Sequence, residues 1–344
     1  MVRCNMLTLL QQRQLPALRS REEMMDLLQR EVYGYLPEKP LSVSFSVIEP
    51  ISRNFCAGKA RGERMVAMCD LGGRVFSFPF ASVIPTDGKK HPFFIHINFR
   101  SDVPDRYMPT EELVDCGFAV ISFNYHDVVR DNADFTDGLA GCLFENGQRK
   151  TTDPGKIALW AWAAQRMMDY AMTRDELDHS RGIVCGHSRL GKTALLAAAT
   201  DERFAMAYSN DSGCAGAALA RGTKGETVEA ICQRFSYWFC ENYQKYQGRE
   251  QEMPFDQHFL LASIAPRCVL VGSATGDAWA DPISEQLGCL AAAPAFGNDF
   301  SGIHPAQPDQ CFLDGKLGYH LRTGDHYFSR DDWHRLIEFA NRHI

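Results

Sequence analysis

Nowhere does the chain of 344 residues carry a run of about 18 apolar side chains, the length needed to span a bilayer as a helix. The segment Met1 to Arg21 mixes charged and apolar residues and holds no continuous apolar stretch of signal-peptide length. Neither membrane insertion nor secretion is therefore written into the residues, and a cytoplasmic location is the expectation. Positive charge is also in short supply. Thirty-six Lys and Arg stand against 43 Asp and Glu, a net charge of -7, which favours neither nucleic acid nor an anionic membrane as partner yet leaves an anionic sugar open. Internal repeats and low-complexity tracts are missing, which excludes solenoid arrays and biased tails. Cysteine is plentiful, at 12 residues, but C-x-x-C spacing is not. The nearest pairs, Cys56 with Cys69 and Cys232 with Cys240, are too far apart for a zinc knuckle, and Cys116, Cys185, Cys232 and Cys268 sit inside apolar runs, so buried free thiols are expected. No residue pattern requires a metal or an organic cofactor, and none sets an oligomeric state.

What is present is the composition of an ordinary globular protein: 45% apolar and 23% charged residues exclude disorder and a coiled coil. Length alone would allow two domains, but the periodicities predict a helical lead-in over residues 1–40 and a single catalytic domain over 41–344. Ser20 to Tyr35 has Met24, Leu27, Leu28, Val32 and Tyr33 at three- and four-residue steps, a helix stopped by Pro37 and Pro40. From Ser42 to Phe80 the pattern alternates, with Gly72-Gly73 at a hairpin turn, which predicts antiparallel edge strands. The rhythm then becomes βαβ: apolar runs at His91–Phe99 and Phe118–Phe123 flank a helical pattern from Pro109 to Cys116. A polar loop from Asp131 to Gly155 leads into an amphipathic helix over Lys156–Met172. Strands are expected at Gly182–Cys185, Phe204–Ser209 and Cys268–Gly272, with another near Tyr319. A long helical region is expected at Thr227–Tyr246 and a terminal helix at Asp331–Arg342.

The most informative segment is Gly186-His187-Ser188-Arg189-Leu190-Gly191-Lys192-Thr193, which follows the apolar run Ile183-Val184-Cys185. It fits the phosphate-binding pattern G-x-x-x-x-G-K-[ST]. It fits equally a sharp turn presenting Ser188 as a nucleophile, with a helix N-terminus behind it to stabilise negative charge. The order of the other candidates separates the two. In a phosphate-binding NTPase the loop follows the first core strand and a later strand ends in a metal-binding aspartate; here at least two βα units come first. A hydrolase needs nucleophile, acid and histidine in that order, each at a strand end. Ser188, then Asp211 or Asp277, then His326 in the turn Gly324-Asp325-His326 supply it. A serine hydroxyl is a poor nucleophile until a neutral imidazole takes its proton and a carboxylate holds that imidazole in the right tautomer. The second glycine of G-x-S-x-G falls one place late, at Gly191. Arg189, next to the serine, could aim both its N–H and its guanidinium at the oxyanion of a tetrahedral intermediate.

The octapeptide, together with Ser209-Asn210-Asp211-Ser212-Gly213-Cys214, Gly225-Glu226-Thr227, Pro254-Phe255-Asp256-Gln257-His258, Ile264-Ala265-Pro266-Arg267 and Asp277-Ala278-Trp279-Ala280-Asp281-Pro282, resembles the bacterial glucuronoyl esterases of carbohydrate esterase family 15 over about Phe93 to His343. The resemblance implies an α/β-hydrolase fold, a three-layer sandwich about a mostly parallel sheet, and a serine esterase cleaving esters of 4-O-methyl-glucuronate. It implies Ser188 as nucleophile, His326 as base, Arg189 as oxyanion stabiliser, and Lys192, Glu226 and Trp279 as residues holding the sugar. Family members place the acid at either of two strand ends. Asp211 matches the first, where many relatives carry glutamate, and is slightly preferred. Asp277 matches the second, where most α/β-hydrolases keep theirs, and the short side chain at 211 counts against reach to His326.

Plainer roles stand beside these. Lys192 could be a solvated helix residue, Glu226 a cap for the helix starting near Thr227, where a carboxylate is favoured by the dipole alone, and Trp279 part of the core. Trp238, with Phe235, Tyr237 and Phe239, reads as helix packing. His187 reads as a packing residue beside the nucleophile, His258 as a buried hydrogen-bonder, and His320 as the rival to His326. Phe94 and Asn98-Phe99-Arg100 at one strand end, with Phe144 and Glu145 in the long loop, are possible pocket-lining residues. The expected function is a serine carboxylesterase on a uronate ester, small or oligosaccharide-borne. The alternatives are an acetyl esterase on xylan fragments, a non-catalytic carbohydrate-binding relative, and the NTPase.

Overall fold

The structure, a computed structural model, describes residues 5–52 and 54–344; residues 1–4 of the lead-in lie outside them. Ten strands form one sheet in the order β1-β2-β3-β5-β4-β6-β7-β8-β10-β9. The first three, β1 (Ser42–Pro50), β2 (Ala60–Asp70) and β3 (Val75–Pro85), form an antiparallel edge. The β2–β3 turn is made by Gly72 and Gly73 at φ 79° and 102°, a region where glycine carries no Cβ penalty. The centre is parallel: β5 (Ala119–Asn124), β4 (His91–Asn98), β6 (Leu177–His187), β7 (Met206–Asn210), β8 (Cys268–Ala274) and β10 (Leu317–Arg322). The short β9 (Gln310–Phe312) closes the far edge antiparallel to β10.

Central strands buried on both faces run largely apolar, and β4 is buried throughout, with the polar His91 and Asn98 hydrogen-bonded. Its alternate residues feed two cores. Phe93, Ile95 and Ile97 join the larger one with Val184, Ala207 and Val271. Phe94 joins the smaller with Ile183, Met206 and Leu270. Trp160 and Leu195, from the helices Lys156–Ala171 and Arg189–Thr200, fill the first; Trp333 and Leu336, from the terminal helix Arg330–His343, cover the second. Helix, sheet and helix thus make the three layers of an α/β-hydrolase fold. The lead-in packs on the larger core. Its helix Arg21–Leu28 opens on a capping box of Ser20 and Glu23 and continues as a π-helix to Tyr33, whose hydroxyl donates to the Ala215 carbonyl at 2.8 Å.

Several boundaries differ from the sequence reading. Strand β6 begins at Leu177 and not Gly182, and the following helix at Arg189 and not Ala194. The expected long helix at Thr227–Tyr246 is one helix, Val228–Phe235, followed by 3-10 turns at Ser236–Trp238 and Glu241–Tyr246. The chain leaves helical geometry there because Cys240 N–H bonds to Val32 O at 3.0 Å, docking this segment on the lead-in. The helix Pro282–Ala292, capped by Asp281, went unread. The described cysteines are free and mostly buried. Among the described residues no helix is long and apolar enough to cross a membrane.

The helix Arg189–Thr200 has its far end held by two arginines. Arg21 donates to Ala199 O at 2.8 Å, and Arg267 donates to Ala198 O at 2.8 Å, Phe204 O at 2.8 Å and Asp201 O at 3.1 Å. Last-turn carbonyls have no partner within a helix, and cations there also offset its dipole. Arg267→Ala is therefore expected to lower the unfolding free energy by about 3 kcal/mol, the scale of stranding several buried carbonyls, as read from urea denaturation midpoints.

Candidate active site

The polypeptide turns from β6 into the helix at one residue, Ser188, held at φ 58° and ψ -126°. A non-glycine residue there is strained and persists only when its surroundings over-determine it. Two glycines make room. A Cβ on Gly186 would run into the Leu190 backbone, and one on Gly191 would lie 3.0 Å from Ser209 Oγ and 3.1 Å from Ser212 Cβ. Gly191, the glycine that falls late in the motif, is thus where the helix passes the end of β7. Ser188 N–H bonds to Asn210 O at 2.8 Å, tying the turn to the same strand.

His326 follows β10, and its Nδ1 lies 2.5 Å from Oδ2 of Asp277, which follows β8. The imidazole is half-exposed while the carboxylate is buried. Asp211 lies close, at the end of β7, but turns elsewhere. Its Oδ2 accepts from Arg322 Nη2 at 3.3 Å and Tyr327 N at 3.4 Å, and among the described residues its Oδ1 is buried without a partner. The slight sequence preference for Asp211 is therefore corrected: the acid bonded to His326 is Asp277. The reason is directional, since Asp211, at φ 46°, points into the sheet toward Arg322. Asp211, Asp277 and His326 each bring a ligand atom within 4.8 Å of the others, as a metal site would, but Nδ1 and Oδ2 already bond each other.

Beneath the two aspartates lies a third carboxyl that the sequence reading missed. Glu285, fully buried, accepts from the backbone N–H of Ser212 and Gly213, both at 2.9 Å, and from Ser273 Oγ at 2.5 Å, so it joins the ends of β7 and β8. Burial pushes its pKa up to about 7, and burial followed by the neighbouring carboxylates Glu285, Asp332 and Asp277 pushes Asp211 well above the usual range. The one guanidinium among them, Arg322, also donates to Asp332 at 2.7 Å. Its signal in sequence was faint: a lone glutamate inside a helix that was not anticipated.

A cavity of about 340 Å³ opens over this edge of the sheet, lined by Ser188, His326, Arg189, Lys192, Glu226 and Trp279. All the residues singled out for catalysis or sugar binding reach it. Lys192 is buried, which lowers its pKa, and donates to the carbonyls of Ser212 and, at 2.6 Å, Cys214, with Glu226 Oε2 at 3.9 Å. It is neither solvated nor arranged as a phosphate-loop lysine. Glu226 is not a helix cap; Thr227 caps Val228–Phe235. Trp279 is 50% exposed at the rim, so it is not core. Arg189 pairs with Asp131, the first residue of the long loop, and lies 4.7 Å from the Trp238 ring. Trp238 does pack, on Phe235 at 4.0 Å, but both also line the cavity.

Other candidates fall outside it. Phe94 stacks on Phe118 at 4.7 Å in the smaller core, because its parity on β4 faces away. Asn98 is buried and donates to Asp105, and Phe99 stands one layer back, 5.7 Å from the Arg189 guanidinium. Phe144 packs on Phe135, and neither it, Glu145 nor Arg100 lines the cavity. His187 lies 4.4 Å from the His326 ring, bonds Asn210, and is kept neutral chiefly by burial. His258 bonds Pro16 O, and His320 is buried against Tyr208, its pKa pushed down to about 3 by burial.

A strained serine between strand and helix, with a histidine–aspartate pair from later strand ends, defines the chain as an α/β-hydrolase. The family model described as glucuronyl esterase, fungi, matches residues 68–297, and the chain belongs to the glucuronoyl esterase family. It is 39% identical over 240 residues to carbohydrate esterase MZ0003 of an unknown prokaryotic organism, a match covering 68% of this chain and 55% of that protein. It is 28% identical to a 4-O-methyl-glucuronoyl methylesterase of Podospora anserina, over 79% of this chain and 54% of that one. The chain thus spans about half the length of these curated relatives. A glucuronoyl esterase structure from Solibacter usitatus superposes with a TM-score of 0.86 at 29% identity, covering 94% of this chain and 92% of that one.

Glu285 makes stability depend on pH. Its folded-state pKa of about 7 exceeds the ordinary 4.5, so the folded protein keeps a proton that the unfolded chain releases. The contribution is complete below the unfolded value and lost as pH rises through about 7. Melting temperatures measured from pH 4 to 8 are expected to fall less in Glu285→Gln than in the wild type, with Asp211, displaced in the same direction, leaving a residual slope.

Proposed function

We propose that this chain is a serine carboxylesterase that hydrolyses esters of glucuronic acid or its 4-O-methyl ether. The observation that carries the proposal is that one cavity holds the Ser188 turn, the His326–Asp277 pair and the group Lys192, Glu226 and Trp279. Relatives named as glucuronoyl esterases and a 4-O-methyl-glucuronoyl methylesterase support the substrate class.

In this reading Ser188 Oγ attacks the ester carbonyl at C6 of the uronate while His326 takes its proton. Asp277 holds Nδ1–H and so leaves Nε2 free to accept. Negative charge collects on the carbonyl oxygen, where the Arg189 guanidinium and the helix N-terminus oppose it. Collapse expels the alcohol, which receives the proton from His326, and leaves a uronoyl ester on Ser188. Water, deprotonated by the same imidazole, then releases the uronic acid and restores the serine. Lys192 and Glu226 would bind sugar hydroxyls as donor and acceptor, with Trp279 against the ring face. Such groups discriminate strongly, because a substrate lacking the hydroxyls leaves them unpaired.

The test is hydrolysis of methyl or benzyl glucuronate beside an acetylated xylo-oligosaccharide. Turnover of the glucuronate ester, lowered about 10⁵-fold or more in Ser188→Ala, is expected; preference for the acetyl ester would move the function to deacetylation. Asp277→Asn is expected to lose about 10³–10⁴-fold in kcat by admitting the wrong imidazole tautomer. Asp211→Asn should keep most of the turnover, and the reverse ranking would reassign the acid.

A further inference from the structure

We infer that Asp131 is a positioning residue for this reaction, fixing the guanidinium of Arg189 where the oxyanion forms; the inference rests on the esterase reading above. Asp131 opens the segment that precedes the helix Lys156–Ala171, which the sequence reads as a polar loop but which carries the short helix Gly138–Leu143, and its side chain is buried. Its bonds come from three separate parts of the chain. Oδ2 accepts from Arg189 Nη1 and, at 3.2 Å, from the Tyr125 hydroxyl; Oδ1 accepts from Trp238 Nε1 at 2.6 Å; its backbone carbonyl accepts from the Tyr237 hydroxyl at 3.3 Å. The carboxylate therefore cannot swing, and it presents one oxygen to Arg189.

The guanidinium is held on its other sides by rings. Its central carbon lies 4.7 Å from the Trp238 centroid, 5.6 Å from Phe235 and 5.7 Å from Phe99. Nε is buried without a partner, and Nη1 is taken by Asp131. Among the described residues Nη2 makes no hydrogen bond, so it is the nitrogen left to meet a substrate oxygen in the cavity that Arg189 lines. A free arginine gives up side-chain rotamer entropy on being ordered. Here the ordering is done in the resting protein, and a donor aimed in advance costs no reorganisation as the oxyanion develops. Asp131 also balances the arginine's charge, so that Lys192 with Glu226 and Arg189 with Asp131 form two compensated pairs in the pocket.

Asp131 could instead be only a clasp for the loop and the Ser236–Trp238 turn, and the experiment separates the two roles. The wild type, Asp131→Asn, Arg189→Met and the double variant are assayed on methyl glucuronate, with melting temperatures for each. The expected result is a loss of about 10–100-fold in kcat for Asp131→Asn with KM within about twofold, and no further loss when the substitution is added to Arg189→Met. Equal turnover of Asp131→Asn and wild type overturns the inference, as does a full additional loss in the Arg189→Met background. A second measurement needs no stable Asp131→Asn single variant. Guanidinium at low millimolar concentration should restore part of the activity of Arg189→Ala, by occupying the vacated site against Asp131, and should not restore that of Arg189→Ala with Asp131→Asn; equal rescue in both overturns the inference. A wild type inert toward glucuronate esters would overturn the esterase reading and this inference with it, whereas an active wild type with an unaffected Asp131→Asn overturns the inference alone.

Discussion

The backbone at Ser188 is the constraint on which the site depends. A left-handed φ at a residue with a side chain stores of order 1–3 kcal/mol, and relaxation of that one residue would swing its hydroxyl away from the cavity. It is opposed from every side. The sheet holds the approach, since β6 is paired to β4 as far as Cys185 and to β7 as far as His187. Asn210 O takes the Ser188 N–H, and Gly186 and Gly191 allow the helix to press against both strands. At the far end Arg21 and Arg267 hold the last carbonyls of the helix, so it can neither slide nor unwind to release the turn. Parallel strands with their carboxyl ends aligned then bring Asp211, Asp277 and His326 to the same edge without further design.

That convergence has an electrostatic cost. Asp211, Asp277, Glu285 and Asp332 lie in one buried region with Arg322 as the guanidinium among them. Four ionised carboxylates could not coexist there at low dielectric. Burial pushes the pKa values of Glu285, Asp211 and Asp332 upward, and Asp332 is bonded to Arg322 and to the cap of its own helix. Asp277, set beside the half-exposed His326, is the one of the four that bonds its imidazole. Glu285 bonds the backbone at the end of β7 and the Ser273 hydroxyl of β8, so it fixes the strand ends beneath the pair and belongs to the account of the site although it never reaches the cavity.

How much of this could be read from the residues follows from what each feature depends on. The elbow was legible because strand, turn and helix are local, and the order of Ser188, the two aspartates and His326 was legible because each ends a strand. The choice between the aspartates was not. It is fixed by side-chain direction and by Arg322, which lies 111 residues from Asp211. Asp131 was visible only as the start of a loop of suggestive length, since its partners Arg189 and Trp238 are 58 and 107 residues away. Trp238 was read by its neighbours as helix packing, and the helix ended three residues earlier. Phe94 was misplaced for a simpler reason: on a strand buried on both faces, parity decides which layer a side chain joins, and hydrophobicity carries no record of parity.

The buried lysine is the remaining argument for a polar ligand. An ammonium taken out of water must be repaid by bonds to all three of its hydrogens. Lys192 spends two on the carbonyls of Ser212 and Cys214, and Glu226 faces it from 3.9 Å, too far for a hydrogen bond but close enough to balance its charge. A donor and an acceptor are thus left adjacent and incompletely satisfied on the wall of a cavity, beside an exposed tryptophan. An apolar acyl group would leave both unpaired. Vicinal hydroxyls on a rigid ring would satisfy both at once while the ring face meets Trp279. On the proposed uronate esterase reading, these groups would hold the sugar before any chemistry occurs, and that binding would seat the ester carbonyl between Ser188 and Arg189.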